Sequence, residues 1–204
     1  MSKIAIIGAT GRAGSQLLDE ALRRGHSVTG IARGAAALAP EPRLRAQAVD
    51  LLDNDALTAA LAGHDVVISA ARFDGVPPLA IIGAVQAAQV PRLLVVGGAA
   101  SLLLPDGTRL FDSPSFPEAY RAEAAGGIAF LDALRALPAL DWGFLSPSAL
   151  FDGNERTGTF RLGQDHLLMD AAGQSRISFP DFATALIDEL ERPAHSRQRF
   201  TVGY

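Results

Sequence analysis

Cysteine is absent from the 204 residues. Disulfides, thiolate metal ligands and cysteine nucleophiles are therefore excluded. Lysine occurs once, as Lys3, and tyrosine twice, as Tyr120 and Tyr204, so tyrosine-lysine acid-base pairs are nearly ruled out by count alone. The four histidines, His26, His64, His166 and His195, are far apart and carry none of the spacings that ligate metals, so no metal is expected. Apolar runs are broken by Gly, Pro or Arg well short of the ~20 residues a membrane span needs. The opening "MSKIAIIG" enters a strand with no cleavage signal, and the expectation is a cytoplasmic protein without a membrane partner. Net charge is −4, and the basic residues are scattered, so no surface for a phosphate backbone and no nucleic-acid partner are indicated. Oligomeric state is not legible.

What is present is a chain that is 49% hydrophobic and 20% charged, the composition of one globular domain spanning 1–204. Apolar runs at 3–7, 27–32, 65–69, 92–96 and 141–145, with a weaker one at 44–49 and a last near 198–202, predict strands covered on both faces. Helical patterns at about 13–24, 54–62, 78–89, 118–137 and 180–191 alternate with them. The expected fold is α/β, a Rossmann-type doubly wound parallel sheet. The portion from about 147 to 204 is more irregular and is expected to cover the carboxyl ends of the strands, where ligands sit in such sheets. Within it, Arg161, Asp165 and His166 are expected to fix the loop, and "ERPAHSRQRF" reads as a solvated connection after a helix stop at Pro193. The run "AAALAPEP" from Ala35 reads as a loop.

Between the first strand and first helix stands "GATGRAG". Gly8 would end the strand, Gly11 would let backbone approach a pyrophosphate, and Gly14 would let the helix pack close, with first-turn amides facing the anion. The spacing is GxxGxxG, and a plain strand-to-helix turn would also use such glycines. At the end of the second strand, where an acid selects NAD and a base accommodates the 2′-phosphate of NADP, stands Arg33, with Arg12 as a second cation and no acid between Glu20 and Glu41. NADP(H) is favoured over NAD(H), unless Arg33 is simply a solvated strand end. Asp50 and Leu51 are placed for the adenine, though Asp50 also fits a loop acid.

Taken with "RLLVVGGAAS", "FLSPSALF", "ERTGTFRLGQDHLL" and "ISFPDFATALIDELERPAHSRQRFTV", the glycine turn resembles the atypical short-chain dehydrogenase/reductases, in the group of NAD(P)H-binding proteins and NADH-flavin reductases. More distantly the chain is similar to NmrA-like proteins and to the flavin and biliverdin reductases. The resemblance implies strand order 3-2-1-4-5-6-7 and cofactor contacts from Gly8, Thr10, Gly11, Arg12, Ala13, Gly14, Arg33, Asp50 and Leu51. It further implies contacts from Ser69, Ala70 and Ala71, with Pro147, Ser148 and Ala149 flanking the nicotinamide. Ordinary members use a serine after the fifth strand and a Tyr-x-x-x-Lys pair. Here Ser101 occupies the serine region, Tyr120 begins the helix, and Ala124 stands where the lysine would be. Ser101 and Tyr120 are the catalytic candidates; each fits a capping or packing role as well.

Carbonyl reduction needs a proton donor at the developing alkoxide, whereas hydride transfer to a flavin or quinone mainly needs stacked rings in a dry cleft. The missing lysine favours an NADPH-dependent reductase whose acceptor is FMN, FAD, a quinone or a similar small molecule, with Ser101, Ser146 and Ser148 as hydrogen-bonding candidates. The alternative is a non-catalytic NADP(H)-binding redox sensor of the NmrA-like kind. A sugar-nucleotide epimerase is less favoured, because it too would use the missing pair.

Overall fold

The computed structural model describes residues 1–204, and strand alternates with helix from the first residues onward. β1 (Lys3–Ile7), β2 (Ser27–Ile31), β3 (Leu44–Gln47), β4 (Val66–Ser69), β5 (Arg92–Val96) and β6 (Asp141–Ser146) lie parallel. They are linked through α1 (Arg12–Arg23), a single 3-10 turn at Ala35–Ala37, α2 (Asn54–Leu61), α3 (Pro78–Ala87) and α4 (Arg121–Arg135). Three short strands follow, β7 (Leu150–Phe151), β8 (Arg161–Gly163) and β9 (Arg176–Ile177), then α5 (Phe179–Glu191) and β10 (Gln198–Gly203). The central sheet has the order β3-β2-β1-β4-β5-β6-β10-β8. β10 pairs parallel to β6, β8 closes the edge antiparallel to β10, and β7 and β9 form a separate parallel pair.

Alternation along each strand sorts the core into two layers. Ile4 and Ile6 face one side, where Leu17, Leu18 and Ala21 of α1 meet Phe182, Leu186 and Leu190 of α5. Ala5 and Ile7 face the other, with Leu57 and Leu61 of α2, Ile82 and Val85 of α3, and Phe130 and Leu134 of α4. Burial on both faces is why the strands read as unbroken apolar runs rather than alternating ones.

Helix starts follow local chemistry. Asp53 accepts from the Ala56 amide to cap α2, and Ser178 accepts from the Asp181 amide to cap α5, each worth about 1 kcal/mol. Pro78 occupies the first turn of α3, where its missing N–H costs nothing. α1 differs: its cap is Gly11, which offers no side-chain acceptor, so the first amides of that helix stay open. No helix is long and apolar enough to cross a membrane.

Strand order agrees with the expected 3-2-1-4-5-6-7, β10 being the seventh, with β8 added at the edge. α4 starts three residues later than its sequence pattern, because Glu118–Tyr120 forms a 3-10 turn after Pro117. The segment from Ala35 is more ordered than a loop: Ala35 is buried, and Leu38 reaches so close to Gly30 that a Cβ there would stand 2.7 Å from its Cδ1.

Candidate functional site

The glycine turn lies at the carboxyl edge of the sheet, where β1 ends. Gly8 has φ +80°, and a Cβ on it would stand 2.6 Å from the Ala70 carbonyl oxygen. Its N–H donates to the Ile31 carbonyl at 2.8 Å, which fixes the turn to β2. Gly14 is more constrained still, since a Cβ there would come within 2.0 Å of the Gly8 oxygen. Gly11 is exposed, and a Cβ on it would meet only that same oxygen, at 3.3 Å, so its outer side is open. The first helical bond of α1 runs from Ser15 N–H to the Gly11 carbonyl at 2.8 Å. The amides of Arg12, Ala13 and Gly14 consequently bond to nothing in the chain, at the positive end of a twelve-residue helix. An open cradle without side chains, edged by free amides, fits the pyrophosphate of a dinucleotide.

The residues expected around it are distributed as follows. Thr10 is exposed beside the cradle, and Ser69 is buried at the end of β4. Ala70 is bonded through its N–H to the Ile7 carbonyl at 2.8 Å, with Ala71 next to it. Arg33, just past β2, is exposed and makes neither hydrogen bond nor ion pair, leaving its guanidinium uncommitted. Arg12 instead engages the C-terminal portion, with its guanidinium 5.1 Å from the Phe179 ring centre and 3.8 Å from Asp152. Asp50 accepts from the Leu52 amide at 3.0 Å, a loop-stabilising turn that commits one carboxylate oxygen, while Leu51 packs on the core beside α2.

Further along the same edge come the segments after β5 and β6. Ser101 closes a 3-10 turn at Ala99–Ser101, and its Oγ accepts from Arg199 Nη1 at 3.4 Å. Pro147 is buried and Ala149 exposed; between them Ser148 is buried and donates to the Val202 carbonyl at 3.0 Å, so its hydroxyl proton is engaged by β10. Ser146 Oγ is fully buried and has no partner. Tyr120 stands 65% exposed without a hydrogen-bond partner.

Where an ordinary short-chain dehydrogenase would carry its lysine, α4 does something else. Glu123 accepts from the amides of Phe73 at 3.0 Å and Asp74 at 2.9 Å, and from Arg72 Nε at 3.4 Å. One turn on, Gly126 and Gly127 make room for the Phe73 side chain; a Cβ on Gly126 would lie 2.9 Å from Phe73 Cβ. The Phe73 ring sits 5.5 Å from Phe130 and 6.2 Å from Phe144. The loop that follows Ala70 and Ala71 is thereby docked on α4.

Several residues that hold the C-terminal portion were not apparent from the sequence. Glu20 is fully buried, accepts from Arg23 and Arg24, and pairs with the charge of Arg156, which reaches in from the irregular segment to 2.9 Å. Burial alone would raise its pKa, but the Arg23 and Arg24 hydrogen bonds and the charges of Arg156 and Arg24 outweigh that and hold it at about 2. Asp181, also buried, sits below the usual carboxylate range: burial opposes ionisation, but Thr157 and Tyr204 hydroxyls and the Gly158 and Thr157 amides stabilise the anion. Tyr204, a terminal residue in the sequence, thus ties β10 to α5. Arg161 donates to the carbonyls of Met169 and Tyr204, and Asp165 accepts from Arg199. "ERPAHSRQRF" is not simply a solvated connection. His195 stacks on Phe200 with ring centres 4.1 Å apart and pairs with buried Glu189, and the Arg199 side chain is only 4% exposed, because β10 draws the segment under its neighbours.

Comparison with known proteins agrees with this geometry. The chain is 40% identical to the uncharacterized protein YwnB of Bacillus subtilis, across 98% of this chain and 97% of that protein. It is similar to a solved structure from Bacteroides thetaiotaomicron, provisionally named an epimerase, at 41% identity and TM-score 0.94, covering 99% of this chain and 96% of that one. It is also similar to a provisionally named NADH-flavin reductase from Streptococcus pneumoniae, at 33% identity and TM-score 0.83, covering 100% and 99%. Residues 8–193 match the family described as NAD(P)H-binding. With a glycine cradle, open helix amides and a doubly wound sheet behind them, the chain belongs to the NAD(P)H-binding family.

Proposed function

We propose that this protein is an NADPH-dependent reductase that passes hydride to a flavin, a quinone or a similar planar acceptor. The observation that carries the reading is the acid-base inventory at the strand ends: Lys3 is the only lysine and lies at the start of β1, Ala124 takes the lysine position, and Tyr120 is exposed and unpartnered. When bound, the dinucleotide supplies a hydride from its dihydronicotinamide ring. The amides of Arg12, Ala13 and Gly14 would hold its pyrophosphate, and the uncommitted Arg33 would meet the 2′-phosphate in a charge-assisted contact. Ala70, Ala71, Pro147 and Ala149 would form a largely apolar wall that keeps water from the reacting rings, and docking of Phe73 on α4 keeps that wall rigid. An acceptor that takes its proton from water needs only to be oriented, which is what this site offers.

Epimerisation of a sugar nucleotide begins by removing a proton from an alcohol. No lysine-supported tyrosine is available for that, which argues against carrying over the name of the Bacteroides relative. The deciding experiment follows NADPH absorbance with and without added FMN or menadione, with NADPH affinity measured by calorimetry on the same sample. Saturable, enzyme-proportional oxidation is the expected result. Tight NADPH binding without turnover on any flavin or quinone would instead favour a redox sensor.

A further inference from the structure

Ser101 is the one hydroxyl at the strand ends that receives a hydrogen bond from a buried cation. Arg199 lies on β10, two residues from Thr201, which is the register partner of Ser146. Since Phe200 and Val202 belong to the layer under α1 and α5, Arg199 and Thr201 point to the opposite face of the sheet. There the Arg199 side chain, only 4% exposed, is fixed by two bonds to Asp165, from Nε at 2.9 Å and from Nη2. The remaining terminal nitrogen, Nη1, points at Ser101 Oγ. Asp165 is itself held in place, because its carbonyl accepts from the Leu103 amide at 2.8 Å, two residues beyond Ser101. One strap of backbone therefore fixes both ends of the relay.

We infer that the Arg199–Asp165 pair orients and polarises Ser101 as the hydrogen-bond donor to the acceptor's developing oxyanion, an inference that rests on the reductase reading above. The proton arithmetic gives the direction. Arg199 can only donate, so the Ser101 oxygen accepts from it, and the serine's own proton is left to point elsewhere. A guanidinium behind the oxygen makes that O–H a stronger donor, more so in a partly desolvated site. When a quinone takes a hydride, two electrons and one proton enter the ring together and one carbonyl oxygen becomes anionic. That oxygen then takes a proton from water, so the balance is NADPH plus quinone plus H⁺ giving NADP⁺ plus quinol. Ser101 would stabilise the anion before water protonates it, the task an oxyanion-hole donor performs. The tyrosine-lysine pair is thus replaced by a donor that never has to give up its proton. Arg199 and Asp165 act as positioning residues, and Ser101 is the group that touches the acceptor.

The test compares two hydride acceptors. Menadione gains an anionic oxygen on reduction, whereas N-methylacridinium becomes neutral and needs no oxyanion donor. Arg199→Met should lower kcat for menadione about tenfold or more, with Arg199→Lys recovering part of it, while N-methylacridinium turnover and NADPH affinity stay within about twofold. Asp165→Asn should behave as a milder Arg199→Met. Equal losses on both acceptors would mean that the pair acts only through folding, and would overturn the inference. A second readout needs no turnover: 4-nitrophenol bound to the NADP⁺-loaded protein should ionise at lower pH in the wild type than in Ser101→Ala or Arg199→Met, seen in its visible absorbance. If the wild type reduced neither acceptor but kept that difference, the reductase reading would fail and the polarised Ser101 donor would stand. Loss of the difference would remove the inference itself.

Discussion

A methyl group on Gly14 would stand 2.0 Å from the carbonyl oxygen of Gly8, so the first turn of α1 and the end of β1 touch backbone to backbone. Gly11, between them, meets that oxygen only at 3.3 Å and faces outward. On the proposed reading, the two glycines therefore separate packing from binding. Gly14→Ala should destabilise the fold by about 1–3 kcal/mol through overpacking, read as a lower denaturation midpoint. Gly11→Val should cost less than about 1 kcal/mol of stability as a poorer helix cap yet abolish NADPH binding in calorimetry, because its side chain fills the cradle. Undiminished binding by Gly11→Val would reduce the turn to a structural connection.

Arg33 has no partner in the protein, so its replacement should leave stability alone. Arg33→Asp should weaken NADPH by about 1–3 kcal/mol while NADH changes little, the scale of one charge-assisted contact. Equal losses for both cofactors would remove the 2′-phosphate assignment.

Acid should loosen the C-terminal portion at Glu20. Its folded pKa of about 2 lies below that of an unfolded glutamate, so the folded state prefers the anion. The stabilisation is complete above the unfolded value of 4.5 and is lost as pH falls from there through about 2. Roughly 2–4 kcal/mol is at stake by linkage, because each tenfold difference in proton affinity between the folded and unfolded states is worth ~1.4 kcal/mol. Glu20→Gln should be markedly less stable than the wild type at neutral pH, and the gap should close on acidification. Urea midpoints measured across that window would reveal it, and parallel curves for the two proteins would contradict it.

Tyr120 offers a sharper check on the chemistry. Its hydroxyl is solvated and bonded to nothing, so Tyr120→Phe should leave kcat/KM for flavin or quinone within about twofold. General acids contribute about 100-fold or more, so a loss of that size would make Tyr120 the proton donor after all.

Much of this organisation was legible in the chain because it depends on neighbours in sequence. Unbroken apolar runs gave away β1, β4 and β5, and helical periodicity placed α2 and α5, whose capping oxygens on Asp53 and Ser178 came only with the structure. Gly8, Gly11 and Gly14 identified the cradle because the turn they form is local. β7, β8 and β9 were not visible: two or three residues carry no period, and these strands exist only because distant backbone pairs with them. Arg199, in the segment read as a solvated connection, differed for the same reason, since a charged residue looks solvated until a partner from elsewhere, here Asp165, covers it.

The sequence by itself determined the doubly wound architecture, the glycine turn between β1 and α1, and the absence of a tyrosine-lysine pair, all of which follow from residue type and short-range spacing. Only the tertiary structure decided which residues surround that position and Ser101. Glu123 and the glycines of α4 hold the loop at Phe73, and β10 carries Arg199 beneath Ser101, 98 positions away along the chain. Ion pairs and buried hydrogen bonds depend on distances of a few ångströms, and across so long a separation those distances are set by sheet order and packing, which no local pattern records.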